Sequence, residues 1–197
     1  MNIIRTRQLF VACLLLLVLL SGCGSYQFKN TQLTPPDPAY DFGLTDQNNQ
    51  PFTLNSQRGK VVIIFFGYTN CPDICPATLS DMQILRNRLD SQQDNVTMVF
   101  ITVDPERDTV TRLKQFVDRF DSHIVALTGD PTTLAQVYTA YGAGAQRREL
   151  PDSALIYAMD HTSTLTVIDK QGQRRLLIGF GSDLTDTQND ITALINE

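Results

Sequence analysis

Cys71 and Cys75, with Pro72-Asp73-Ile74 between them, are the two residues of this chain whose type and spacing most directly suggest chemistry. Two thiols four positions apart can close a small disulfide or jointly hold a thiophilic ion. Their setting narrows the choice. Phe65-Phe66-Gly67-Tyr68-Thr69-Asn70 leads out of an apolar run, and Pro76 stands where a helical pattern starts. The pair therefore sits where a buried strand ends and a helix begins, the place where α/β sheets bind ligands. A helix N-terminus also stabilises a nearby thiolate. A structural disulfide in so small a ring would constrain little of the unfolded chain. A structural zinc site would need two more protein ligands, and there is no second cysteine pair to supply them. Two unrelated buried thiols fit poorly between flanking prolines in an oxidising compartment.

The chain has two histidines. His123 follows Asp121-Ser122 at an expected helix end and reads as a solvated or capping residue. His161, in Asp160-His161-Thr162-Ser163-Thr164, stands just before a strand-like stretch. Met82, Met98 and Met159 could be imagined as thioether ligands, but single methionines in apolar periodicity read as core.

The elements around these residues decide whether they can meet. From Asp41 onward the chain reads as one unit. Phe42-Gly43-Leu44 and Phe52-Thr53-Leu54 flank Asn48-Asn49 as a hairpin. Val61 to Phe66 is a six-residue apolar run rich in β-branched types, the mark of a strand covered on both faces. Leu79, Met82, Leu85 and Leu89 predict a helix with Pro76 in its first turn. Val96 to Val103 is a second buried strand, and Ile124 to Leu127 a short one. Val110, Leu113, Phe116, Val117 and Phe120 mark one further helix, and Leu134, Val137, Tyr138 and Tyr141 another. Thr164 to Ile168 and Arg175 to Ile178 flank Lys170-Gln171-Gly172 as a second hairpin, and Leu184 to Ile195 closes with a helix. That order is a thioredoxin-like α/β fold: an N-terminal β-hairpin, then a central mixed sheet flanked by helices. In such a topology the segment before the second hairpin lies beside the cysteine loop, so two thiolates and the His161 imidazole converge. Thiolates prefer Cu(I) and imidazole suits Cu(II), so Cys71, Cys75 and His161 could hold copper in either state.

The first residues carry an address. Arg5 and Arg7 precede an apolar run of 11 residues, Phe10 to Leu20. That is too short to span a bilayer as a helix and right for the core of a signal peptide. It ends in Leu20-Ser21-Gly22-Cys23, which resembles a bacterial lipobox, the signal in which cleavage precedes a cysteine whose thiol is then acylated. Residues 1–22 are thus expected to be a signal peptide and Cys23 the lipid-bearing residue; Cys13 leaves with the leader. Residues 23–40, with Pro35, Pro36 and Pro38, read as a flexible tether, and 41–197 as the domain. The protein is expected outside the cytoplasm, lipid-anchored to a bacterial membrane.

At 197 residues, the chain suits one domain with short appendages. It is 42% hydrophobic and 19% charged, enough for a packed core. Losing Arg5 and Arg7 takes 16 basic residues to 14 against 21 acidic ones, and the net charge from −5 to −7. An acidic domain without a basic block repels a phosphate backbone, so nucleic acid is a poor partner. A monomer is expected.

The cysteine stretch, Val103-Asp104-Pro105-Glu106-Arg107-Asp108-Thr109 and Asp160-His161-Thr162-Ser163 together resemble the SCO/SenC family, copper chaperones linked to cytochrome c oxidase assembly. The similarity runs from about Asp41 to Glu197. The resemblance implies copper binding by Cys71, Cys75 and His161 and delivery to the Cu(A) centre in subunit II of the oxidase, or to another copper protein. Asn70 stands where many members have a histidine, which removes an auxiliary ligand but none of the three. Asp104 and Arg107 match a family motif without an assigned role beyond a loop-ordering ion pair. The alternative is a thiol-disulfide oxidoreductase that keeps target cysteines reduced, with Cys71 and Cys75 as its redox pair. Three residues between the cysteines, and no proline between His161 and Ile168, favour metal binding over turnover as an enzyme.

Overall fold

The computed structural model describes residues 26–197 except 152 and 154; the leader and Cys23 lie outside the described residues. The core is built on Val61–Gly67 (β4), every residue of which is buried, as a strand covered on both faces requires. Val96–Thr102 (β5) pairs with it in parallel, and Val125–Thr128 (β6) continues in parallel beyond β5. On the other side of β4 lies Leu165–Ile168 (β9), antiparallel, followed across its hairpin by Gln173–Ile178 (β10). The N-terminal hairpin, Gly43–Asp46 (β2) and Pro51–Thr53 (β3), extends the sheet beyond β6. Thr31–Pro38 (β1) adds to β10, giving the order β1-β10-β9-β4-β5-β6-β2-β3. Helices Ile74–Arg88 (α1), Val110–Val117 (α2), Pro131–Tyr141 (α3) and Leu184–Asn196 (α4) flank this sheet. The mixed sheet with flanking helices agrees with the thioredoxin-like class expected from the order of elements.

Two expectations are corrected, and one element is added. The tether expected over residues 23–40 is packed onto the domain from Tyr26. Buried Asp190 of α4 accepts from the Tyr26 hydroxyl at 2.8 Å and from the amides of Lys29 and Asn30 at 3.0 and 2.8 Å. The prolines that suggested a tether are tolerated because β1 is an edge strand, where a missing N–H costs little. The second helix stops at Val117; Phe120 sits in the turn beyond, still edge-on to Phe116 at 5.6 Å. Finally, Gln146–Leu150 (β7) and Ile156–Asp160 (β8) form a hairpin that no periodicity announced. β7 is almost wholly exposed, so it lacks the alternation that marks a half-buried strand.

No helix among the described residues is long and apolar enough to cross a membrane.

Candidate metal centre

The structure brings Cys71, Cys75 and His161 together. Cys71 lies in the loop between β4 and α1, and Cys75 in the first turn of α1. Cys71 is partly exposed and Cys75 is 0% exposed; both are free thiols. The residue that caps α1, Asp73, makes no side-chain capping bond. Instead the Cys75 amide donates to the Cys71 sulfur at 3.3 Å, so a thiol accepts one of the amides that a helix N-terminus leaves free. The Cys71 thiol is held well below the usual range, at about 4, chiefly by its hydrogen bond with the Cys75 thiol; His161 and the amides of Cys75 and Asp73 assist, against burial. That same bond, with burial, pushes Cys75 up. The pair is therefore an accessible thiolate beside a buried thiol.

His161 follows directly on β8, and its Nε2 lies 3.6 Å from the Cys75 sulfur. Its Nδ1 is 3.0 Å from the Thr162 carbonyl oxygen. A carbonyl can only accept, so in the tautomer with the hydrogen on Nδ1 the ring donates to Thr162 and leaves the Nε2 lone pair for a metal ion, whereas an N–H on Nε2 would instead donate to the thiolate. Tyr68 and Phe65 wall the ring edge-on, at 5.8 and 6.1 Å between centroids. The donor atoms of the three residues all lie within 4.8 Å of one another. Bonds of roughly 2.0–2.3 Å from nitrogen and sulfur to an ion put two donors at most about 4.6 Å apart. The set closes on one ion with little movement.

Supporting residues hold the thiol loop in place. Asp108, 0% exposed, accepts from the Thr69 amide at 3.0 Å, the Thr69 hydroxyl at 2.6 Å and the Thr102 hydroxyl at 2.6 Å. Burial raises its carboxyl above the ordinary value, against those bonds. Arg112 donates to the Thr69 hydroxyl at 3.0 Å and to the side-chain oxygen of Asn70, so Asn70 serves here as a hydrogen-bond acceptor. At Gly67, a Cβ would stand 2.9 Å from the Cys75 sulfur and 2.7 Å from the Phe100 ring. Only glycine lets the buried thiol lie against the end of β4. Sequence reasoning missed Asp108, Gly67 and Tyr68 as parts of the site; all three lie in stretches it had quoted, but their contacts come from other elements.

The remaining readings also resolve. His123 is exposed and pairs with Asp121 at 2.7 Å, away from the thiols. Met82 and Met98 are buried in the core, and Met159 packs against it. Asp104 and Arg107 do form an ion pair.

Comparison with known proteins agrees with this geometry. Residues 30–196 match the family model described as SCO1/SenC. An SCO2-like protein of Rickettsia typhi is 36% identical over 132 residues, 67% of this chain; the match spans 65% of that relative's length. Among solved structures, ScoI of Bradyrhizobium japonicum with copper bound is 35% identical, with a TM-score of 0.73 over 80% of this chain and 99% of that one. Yeast Sco1 with copper bound is 29% identical, with a TM-score of 0.72 over 82% and 90%. With the profile covering nearly all the described residues, the chain belongs to the SCO1/SenC family.

Proposed function

We propose that this protein is a membrane-anchored copper chaperone that carries copper on Cys71, Cys75 and His161 and delivers it to the Cu(A) centre in subunit II of cytochrome c oxidase. The observation that carries the reading is the convergence of two sulfurs and one imidazole nitrogen within 4.8 Å. Two thiolates hold Cu(I), and the added nitrogen lets the same site accept Cu(II). The copper-bound relatives from Bradyrhizobium japonicum and yeast support copper as the cargo. Delivery to the oxidase rests on the family's role. The lipid anchor at Cys23, outside the cytoplasm on a bacterial membrane, rests on Leu20-Ser21-Gly22-Cys23 and the short apolar leader.

A thiol-disulfide oxidoreductase is the other reading, favoured by one feature: an accessible low-pKa thiolate beside a buried thiol suits attack on a target disulfide. His161→Ala separates the two. For a copper carrier, the variant keeps much of its Cu(I), loses most Cu(II) binding and loses the intense thiolate-to-Cu(II) absorption. For a reductase, it keeps its insulin-reducing activity and copper is a bystander. Undiminished Cu(II) affinity would remove His161 from the site and the chaperone reading with it.

A further inference from the structure

We infer that Asp104 and Arg107 are positioning residues for His161: they clamp the β7–β8 hairpin, and through it set the imidazole against the two thiols. The inference rests on the copper reading of that site. The hairpin is a two-stranded sheet of its own, and among the described residues no strand of the eight-stranded sheet pairs with it. Its place on the domain must come from side chains and the chain ends. Asp104, only 2% exposed, lies in the loop after β5; one of its oxygens accepts the Tyr157 hydroxyl at 2.8 Å and the other pairs with Arg107. Arg107 in turn donates from one terminal nitrogen to the carbonyls of Leu155 and Tyr157, each at 3.1 Å. Its guanidinium also lies over the Tyr157 ring, 3.6 Å from the centroid.

Those two carbonyls flank Ile156, whose φ is +65°. A β-branched residue rarely adopts that conformation and keeps it only where its surroundings hold it. The cation bonded on both sides of Ile156 does so, at the first residue of the strand that delivers His161. Beyond His161 the chain is fastened again, by the Thr162 amide and hydroxyl to the carbonyls of Ala143 and Gly142 at 3.2 and 3.0 Å. The histidine is strung between the two anchors. The same loop holds the other half of the site, since Asp108 binds Thr69 ahead of Cys71. One five-residue stretch, Asp104 to Asp108, thus ties the thiol loop and the imidazole hairpin to a common frame.

The experiment is a double-mutant cycle on the purified full-length protein, reading Cu(I) affinity, Cu(II) affinity, thiolate-to-Cu(II) absorption and melting temperature. Partners that orient a metal-binding histidine are worth about 10- to 100-fold in affinity. Arg107→Ala is expected to weaken Cu(II) binding by that factor and dim the absorption, while Cu(I), held by two thiolates, changes little. Arg107→Lys, which keeps the charge beside Asp104, should recover part of the loss. In a His161→Ala background, Arg107→Ala should change Cu(II) binding no further, because its effect passes through the imidazole. If Arg107→Ala does not fold, Tyr157→Phe, which removes one hydroxyl, carries the same cycle. Wild-type Cu(II) affinity in the variant, an equal fall in Cu(I), or the same loss with and without His161 would each overturn the inference. A wild-type protein that binds neither copper state would remove the copper reading itself, and the inference with it.

Discussion

The amide of Cys75 donates to the sulfur of Cys71 across 3.3 Å, so the helix that carries one thiol also stabilises the anion of the other. The two cysteines are consequently unequal: Cys71 is partly exposed and anionic, Cys75 buried and protonated. Iodoacetamide on the reduced protein is expected to modify Cys71 first, with a rate that stays high as the pH falls from 8 toward about 5, where an ordinary thiol would have slowed. Peptide mapping by mass spectrometry checks this. Equal rates at both cysteines would contradict the asymmetry.

Gly67→Ala tests the packing of the buried thiol. The new methyl would press on the Cys75 sulfur and the Phe100 ring, both inside the core. Overpacking of this kind costs about 1–3 kcal/mol. Denaturant unfolding should show a loss of that size, and Cu(I) affinity should fall as Cys75 is displaced. A variant as stable as wild type would mean that the loop yields more easily than the structure indicates.

Asp108 gives a pH signature. Because burial raises its carboxyl above 3.8 in the folded protein, the native state keeps a proton that the unfolded chain releases, and stability falls as pH rises through that window. Asp108→Asn does not titrate there, and it places an amide donor where three donors already converge, at a cost of about 1–3 kcal/mol. Wild type should therefore be the more stable of the two at low pH, with the gap narrowing as pH rises from about 4 upward. Unfolding free energies at several pH values measure the gap. Widening would show that Asp108 is better solvated than its burial implies.

Cys23 is open to a direct test. Metabolic labelling with a radioactive fatty acid should mark the wild-type protein and miss Cys23→Ser, with the label in the membrane fraction. Equal labelling of both proteins would sink the lipid anchor.

What could be read from residues alone was whatever depends on local pattern. The apolar run from Val61, the helical spacing of Leu79, Met82 and Leu85, and the turn at Lys170-Gln171-Gly172 each encode an element through periodicity and turn chemistry, and each is present. Cys71 and Cys75 stand four positions apart, so their proximity needed only a strand end and a helix start. His161 is different: 86 positions separate it from Cys75. Its place beside the thiols was expected from the order of elements and from the family resemblance, and only the assembled fold gives the 3.6 Å approach. The contacts that carry the imidazole there were silent in the sequence. β7 is solvated along most of its length and so shows no hydrophobic alternation, and β1 was hidden because its prolines suit an edge strand as well as a tether. Likewise the sequence suggested for Asp104 only an ion pair with Arg107 inside the loop, which is present, and for Asp108 no partner at all. Folding buries both, and a buried carboxylate must find donors wherever the chain places them: Tyr157 for one, Thr69 and Thr102 for the other. Periodicity is local and is written in the residues; the partners of a buried charge belong to other elements, and only tertiary packing chooses them.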